Sequence, residues 1–269
     1  DSAMINATIS SYYSEVEVNN CKFINNDRSI YGYYGDVSVS SCIFFESAGE
    51  KVNLQYSNSS VEDCILHYTY GDNDAIDYDG VFDGVIRNNI LYGGEDDGLD
   101  IGRIDATSCN NVLLEGNTIY NFVDKGVSIG EGSQDINISY NTITTSRMGI
   151  AVKDSSTAIV DHNTLYENTF GISCYEKNYG DGGGIASINN TIISQSIIST
   201  IDADNTSEID IRYSLSDIVL MSGEQNIIDN PMFVNEEENN FNLKDESPCI
   251  NSGDPLYLLD YDGSITDIG

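Results

Sequence analysis

The chain has 269 residues, 40 % of them hydrophobic, and carries 44 acidic against 11 basic side chains, a formal net charge of −33. That balance argues against nucleic acid and anionic membrane surfaces as partners, and it favours divalent cations or a salty medium. No apolar run approaches the roughly 18 residues of a membrane span, and six cysteines in so long a chain do not make a disulfide scaffold.

Residues 1–15 read as a leading edge or an incomplete coil, with no signal peptide visible. From near Val16 to near Leu215 a block of about 24 residues recurs, which signals a solenoid. Two phrases mark each copy. The first is small or polar, then Asn or Cys, then any residue, then aliphatic. Its Asn/Cys position gives the series Cys21, Cys42, Cys64, Asn89, Asn117, Asn141, Asn163 and Asn190. The second is Gly–aliphatic–x–aliphatic, beginning at Gly98, Gly126, Gly149 and Gly171, with a variant at Ala75.

Each phrase alternates with period two: Asn and Ile of N-T-I share one face, and Thr takes the other. Segments this short, separated by Gly, Asn and Asp, are strands rather than helices. The block is too short for two packed helices and lacks the leucine spacing of leucine-rich repeats. The expected fold is all-β: a single right-handed parallel β-helix of about nine coils, each burying its apolar face on its neighbours. The Cys-then-Asn series should form an inward ladder whose amides bond along the axis, since unpaired they would cost a few kcal/mol each. Cys21, Cys42 and Cys64 are expected as stacked thiols, because parallel Cβ vectors in register do not favour a bridge. Cys174 takes an inward position, Cys109 and Cys249 fall in loop or tail contexts and are read as free, and none has the spacing of a metal site.

Residues 177–184, KNYGDGGG, read as an inserted surface loop. Residues 216–269 lose the period and hold all three prolines. They are assigned as the cover of the open C-terminal end of the same domain, with the repeats occupying 1–215, because an uncapped coil is an edge that recruits other strands. The chain stops just after a loop-like stretch and reads as a fragment or mature piece of a longer extracellular protein.

Aligning the Gly phrases sets residues of successive coils in columns. One place before the Gly stand Asp74, Asp97, Lys125, Met148 and Phe170; two places after it stand Asp77, Asp100, Ser128, Ala151 and Ser173. Asp74, Asp77, Asp96, Asp97 and Asp100 therefore share one patch on two coils, with Asp72, Asp79 and Glu95 at its margin. Two like charges about 5 Å apart repel by about 3 kcal/mol at an effective dielectric of 20. The patch is therefore solvated, partly protonated or occupied by a cation, and oxygen-only ligands at flexible spacing suit calcium. The plain alternative is a turn-rich acidic surface. A second column holds His67, Tyr92, Tyr120, Thr144 and Tyr166. It reads either as ordinary cross-strand stacking or as a sugar platform; Tyr92 and Tyr120, with Arg103, are the candidate substrate contacts. Glu62, Arg87 and Glu115 form a surface charge ladder, and neither His67 nor His162 receives a catalytic role.

The repeat as a whole resembles the right-handed β-helix proteins found among secreted carbohydrate-active enzymes and surface proteins. The run EDDGLDIG at 95–102 is similar to the calcium-site motif of family nine polysaccharide lyases. The resemblance implies Asp96, Asp97 and Asp100 as Ca2+ ligands, with a fourth from Asp72, Asp74 or Asp77; the sequence does not choose among these. It also implies calcium on a uronate carboxylate and a lysine base that starts β-elimination. Lys125, the lysine on the coil beside the aspartates, is the candidate base. The family's lysine lies within the strand phrase, where this chain has Ser128, and Lys153 stands one coil further.

The leading expectation is a secreted or cell-surface, calcium-binding domain that binds or cleaves an acidic polysaccharide or cell-surface glycan. The rival is a non-catalytic adhesion or structural module that uses calcium as a staple.

Overall fold

A computed structural model describes residues 3–24 and 26–269. The chain is an all-β parallel solenoid of about nine turns with one 3-10 turn, Glu236–Glu238, as its only helical element among the described residues. Each coil contributes a strand to three sheets. Sheet one has eleven strands, from Ala3–Ile5 to Ile227–Ile228. Sheet two runs from Ile9–Tyr12 to Ser199–Ala203, and sheet three, of nine strands, from Val16–Asn19 to Glu208–Arg212. A representative coil passes from Asn110–Glu115 in sheet three, through Thr118–Phe122 in sheet one, to Lys125–Ile129 in sheet two.

The alternation read from the phrases sets the faces. Leu91, Ile119, Ile143 and Leu165 stack inward from sheet one, Leu99, Val127, Ile150 and Ile172 from sheet two, and Ile86, Leu114, Ile138 and Val160 from sheet three. All are fully buried, and each contributes about 1.5–3 kcal/mol of hydrophobic stabilisation.

The inward ladder sits at the corner between sheets three and one. Asn89 donates to Asn117 Oδ1 at 3.0 Å, Asn117 to Asn141 Oδ1 at 2.9 Å, and Asn141 to Asn163 Oδ1 at 3.0 Å. Each of these oxygens also accepts the backbone N–H of the coil before. Cys42 and Cys64 do the same with sulfur, accepting from Cys21 N and Cys42 N at 3.5 and 3.4 Å. The residue before each ladder member has a positive φ, as at Asn20, Ser41, Asp63, Asn88, Tyr140 and His162, which makes the sharp corner.

One member of the series is corrected. Asn190 is the corner residue of its coil, with φ 46°, and Thr191 takes the ladder place, its hydroxyl accepting from Asn163 N at 3.4 Å. The phrase N-N-T-I-I offers two registers, and a one-residue slip exchanges the faces. Here Ile193 is inward and Ile192 faces out, opposite Thr164. An outward isoleucine is tolerated because the C-terminal segment covers it: Ile192 packs with Leu215, Phe233, Cys249 and Ile268. Ser214 and Asn226 extend the ladder further.

Met221 joins the interior core at that end of the stack. The rest of the segment runs back along the outer face of sheet one. Gly269 N donates to Asn190 O at 2.7 Å, Asp254 N to Asn190 Oδ1 at 2.8 Å, and His162 Nε2 lies 2.9 Å from Thr266 Oγ1.

All six cysteines are free; Cys21 is half-buried and the other five are buried. Alkylation under denaturing conditions without reductant is expected to modify all six, and intact mass reads the count. Protection of any pair would show a bridge that this geometry lacks.

Candidate functional site

Sheet two presents the carboxylate patch outward. Its register sets Asp77 opposite Asp100, Asp100 opposite Ser128, and Ser128 opposite Ala151. The column of Asp74, Asp97 and Lys125 stands at the sheet-one corner of the same coils. Asp97 N donates to Asp74 Oδ1 at 3.0 Å, and Lys125 N to Asp97 Oδ1 at 3.0 Å, so each carboxylate caps the amide of the next coil.

Two groups of carboxylates come together, Asp74 with Asp77 and Asp100, and Asp74 with Asp96 and Asp97, each with oxygens within 4.8 Å of one another. Asp74 is common to both. Asp72 is exposed and belongs to neither group. Burial, then repulsion from Asp100 and Asp97, pushes Asp74 up to about 10. Burial and Asp79 hold Asp77 well above the ordinary carboxylate range. Asp97 and Asp79 are each pushed up to about 6, first by burial and then by Asp100.

Asn53 and Gln55, one coil earlier, donate to Asp77 and Asp79. Asn53 Oδ1 is buried beside them with no partner among the described residues. This all-oxygen donor set, crowded enough to hold protons it would otherwise release, fits a divalent cation of the calcium kind. The residues able to hold one are Asp74, Asp77, Asp96, Asp97 and Asp100.

Lys125 is buried in an ion pair. Its Nζ lies 3.1 and 3.2 Å from the two oxygens of Asp97 and also bonds Asp124, which Arg147 holds from the other side at 2.8 Å. Burial alone would lower its pKa; Asp97 and Asp124 outweigh that and hold it above the usual lysine value. Lys125 is a fixed counter-charge to Asp97, and in this state it has no lone pair to accept a proton.

Lys153 is placed differently. It stands outward on Met148–Lys153 and reaches back one coil, so that Nζ donates to Ser128 Oγ at 2.7 Å. Gly130 leaves the room: a Cβ there would meet Lys153 Cε at 2.9 Å. The amine thus sits at Ser128, one strand spacing, about 4.8 Å, from the rung of Asp100. Tyr175 stands opposite Lys153 on the following coil, and burial, ahead of the opposed effects of Lys125 and Asp124, pushes its hydroxyl pKa up.

Sequence reasoning missed Lys153's placement, Asn53 and Tyr175. A long side chain that leans across a coil is invisible to column alignment; the one available signal was the pair of small outward residues, Ser128 and Gly130. The tyrosine column is in register, with Tyr92 and Tyr120 stacked at 5.6 Å, but it lies on sheet one, away from the carboxylates. Arg103 is exposed just beyond the patch, its N–H bonded to Glu131 at 2.9 Å. Glu62, Arg87 and Glu115 form the expected ion-pair column.

The raised carboxylates set a pH dependence. Below about pH 4 these groups are protonated in both folded and unfolded chains. Between about pH 4 and 6 the unfolded chain loses protons that folded Asp97 and Asp79 retain, so stability falls as pH rises, by up to about 3 kcal/mol for buried Asp97 and by less for half-buried Asp79, which solvent screens. In chelator the melting temperature is expected to drop across that window, and calcium should flatten the drop. A melting temperature that instead rises from pH 4 to 6 in chelator would contradict the crowding.

Residues 83–192 match the family described as right handed beta helix region. No curated protein matches the chain in sequence. Among solved structures the chain is similar to pectate lyase Pel9A, at 14 % identity and TM-score 0.68, over 100 % of this chain and 84 % of that one. It is also similar to a hyperthermoactive exopolygalacturonase from Thermotoga maritima, at 14 % identity and TM-score 0.55, over 77 % and 54 % of the two chains. A third is the periplasmic alginate epimerase AlgG, at 12 % identity and TM-score 0.53, over 85 % and 66 %. At such identities these likenesses show the fold. The structural neighbours are polysaccharide-acting β-helix enzymes. No helix among the described residues is long and apolar enough to cross a membrane.

Proposed function

We propose that this chain is a secreted or cell-surface β-helix domain that binds an acidic polysaccharide through calcium on the carboxylate patch and cleaves it by β-elimination, with Lys153 as the base. The observation that carries this reading is the Lys153 amine at 2.7 Å from Ser128 Oγ, on the column that continues from Asp100. That is the place where the resemblance to family nine lyases puts a lysine, although the residue supplying it comes from the next coil. The names of the structural neighbours, a pectate lyase, a polygalacturonase and an alginate epimerase, support a uronate polymer as the substrate class.

Asp74, Asp77, Asp96, Asp97 and Asp100 would hold the ion, with Asp74 rather than Asp72 as the contribution of the preceding coil. Bound calcium supplies positive charge that neutralises the uronate carboxylate and acidifies the neighbouring C5 proton. Lys153 takes that proton while the glycosidic oxygen leaves, forming the C4–C5 double bond. Lys125 keeps Asp97 charged and fixed. Lys153 is suited to the base role because its partner is a neutral hydroxyl, whereas Lys125 faces two carboxylates.

The burial of Lys153, which is 3 % exposed, favours the second reading, a non-catalytic module in which calcium is structural. The deciding experiment follows ultraviolet absorbance of unsaturated uronate product over a panel of polyuronates, with calcium and with chelator. The lyase reading expects a calcium-dependent rise on at least one polymer. Flat traces on every polymer, with calcium still raising the melting temperature, would leave the structural module.

A further inference from the structure

We propose a second saccharide site, for a neutral glycan, in the cleft between the outer face of sheet one and the C-terminal segment. The cleft encloses about 640 Å³, within the range of small-ligand sites. Its floor is a ladder of threonines in register on successive coils, Thr118, Thr142 and Thr164. Thr118 is exposed and Thr142 half-buried, and both line the cleft. Tyr120 lines it from sheet one, and Phe241 lines it from the strand Asn240–Leu243, which pairs antiparallel with Phe233–Asn235.

The lining is unusual for this chain. In a protein of net charge −33, no Asp, Glu, Lys or Arg side chain among the described residues lines the cleft. His162, the one imidazole in the lining, has Nε2 2.9 Å from Thr266 Oγ1 and Nδ1 3.0 Å from Asp161 Oδ2. The polar groups are hydroxyls and the amides of Asn239, Asn240 and Asn242, each able to donate and accept. A sugar ring has an apolar C–H face and a rim of hydroxyls. Aromatic faces beside amides and hydroxyls match both features, and rungs about 4.8 Å apart offer a repeating polymer a repeating set of partners.

Charge selects neutral over acidic glycans. The adjoining recess is lined by Glu167, Glu236 and Glu237, which would repel a uronate entering the cleft. The site lies on a different sheet from the carboxylate patch and does not depend on the function proposed for that patch. A domain with both would hold a neutral strand on one face while an acidic one meets the other.

The test is calorimetric titration of the intact chain, in chelator, with cellohexaose, xylohexaose and mannohexaose, and with trigalacturonate as the acidic control. At least one neutral hexasaccharide is expected to bind with a sub-millimolar constant. Tyr120→Ala and Thr142→Val should each weaken it by about tenfold, while Asp100→Asn leaves it unchanged. Thr142→Val keeps the side-chain shape, so it tests the cleft even where Tyr120→Ala disturbs the stack with Tyr92. No heat with any neutral oligosaccharide at millimolar concentration would overturn the proposal. So would tighter binding of trigalacturonate, or binding insensitive to Thr142→Val.

Discussion

Lys153→Ala is expected to lower polyuronate cleavage by about a thousandfold, the middle of the range for loss of a positioned proton-transfer group. Calcium affinity should change little, since Lys153 bonds Ser128 and touches none of the carboxylates. Lys125→Ala should behave in the opposite way. It strands Asp97, 5 % exposed, without its ammonium partner, and breaking a buried ion pair costs about 3–5 kcal/mol. Its activity per folded molecule should stay within about tenfold of the parent. Kinetics on the two variants, normalised to the folded fraction from circular dichroism, separate the roles. If Lys125→Ala loses activity while Lys153→Ala keeps it, the base is Lys125 and the ion pair must open during turnover. If both keep full activity, neither lysine is the base.

The coil repeat was legible because it rests on local rules that every coil obeys: period-two alternation, one corner residue with positive φ, one inward Asn or Cys. Columns inferred from spacing alone, such as Asp74–Asp97–Lys125 and Asp77–Asp100–Ser128, are the columns of the structure. The reading failed where the chain gave two solutions of equal local quality. At Asn190 and Thr191 either residue suits the ladder, and what decides is the apolar C-terminal segment that buries Ile192, through Phe233, Cys249 and Ile268, far off in sequence and encoded by no local pattern.

The candidate site shows the same division. Clustering of the aspartates follows from register, so it was visible. Which carboxylates share an oxygen-donor group depends on side-chain direction. The sequence does not choose among Asp72, Asp74 and Asp77 as the contribution of the preceding coil, yet Asp74 belongs to both groups and Asp72 to neither. Where the lysine amines sit was not legible, for a physical reason: a column gives the position of Cα, while a lysine amine lies several ångströms beyond it. Lys125 begins next to the patch and turns into an ion pair; Lys153 begins two coils from Asp100 and brings its amine back beside it.

Asn141→Ala is expected to cost about 3–5 kcal/mol, at the upper end of single substitutions. The side chain is 1 % exposed and serves several partners at once. Its oxygen accepts from both Asn117 N and Asn117 Nδ2 at 2.9 Å, and its nitrogen donates to Leu114 O, Ser139 O and Asn163 Oδ1. Alanine leaves these groups dry and unpaired, at about 1–3 kcal/mol for each that finds no water. Asn141→Cys should cost less, because the chain already uses sulfur at this place: Cys64 Sγ accepts Cys42 N and donates to Glu62 O at 3.2 Å. Since each coil contacts only its neighbours, the damage should be local. Hydrogen exchange should accelerate first at the Asn117 amide, and the Cys21-to-Cys64 coils should keep their protection. A cost below about 1 kcal/mol for Asn141→Ala, or uniform loss of protection along the chain, would mean that the apolar columns alone hold the register and the ladder only accompanies them.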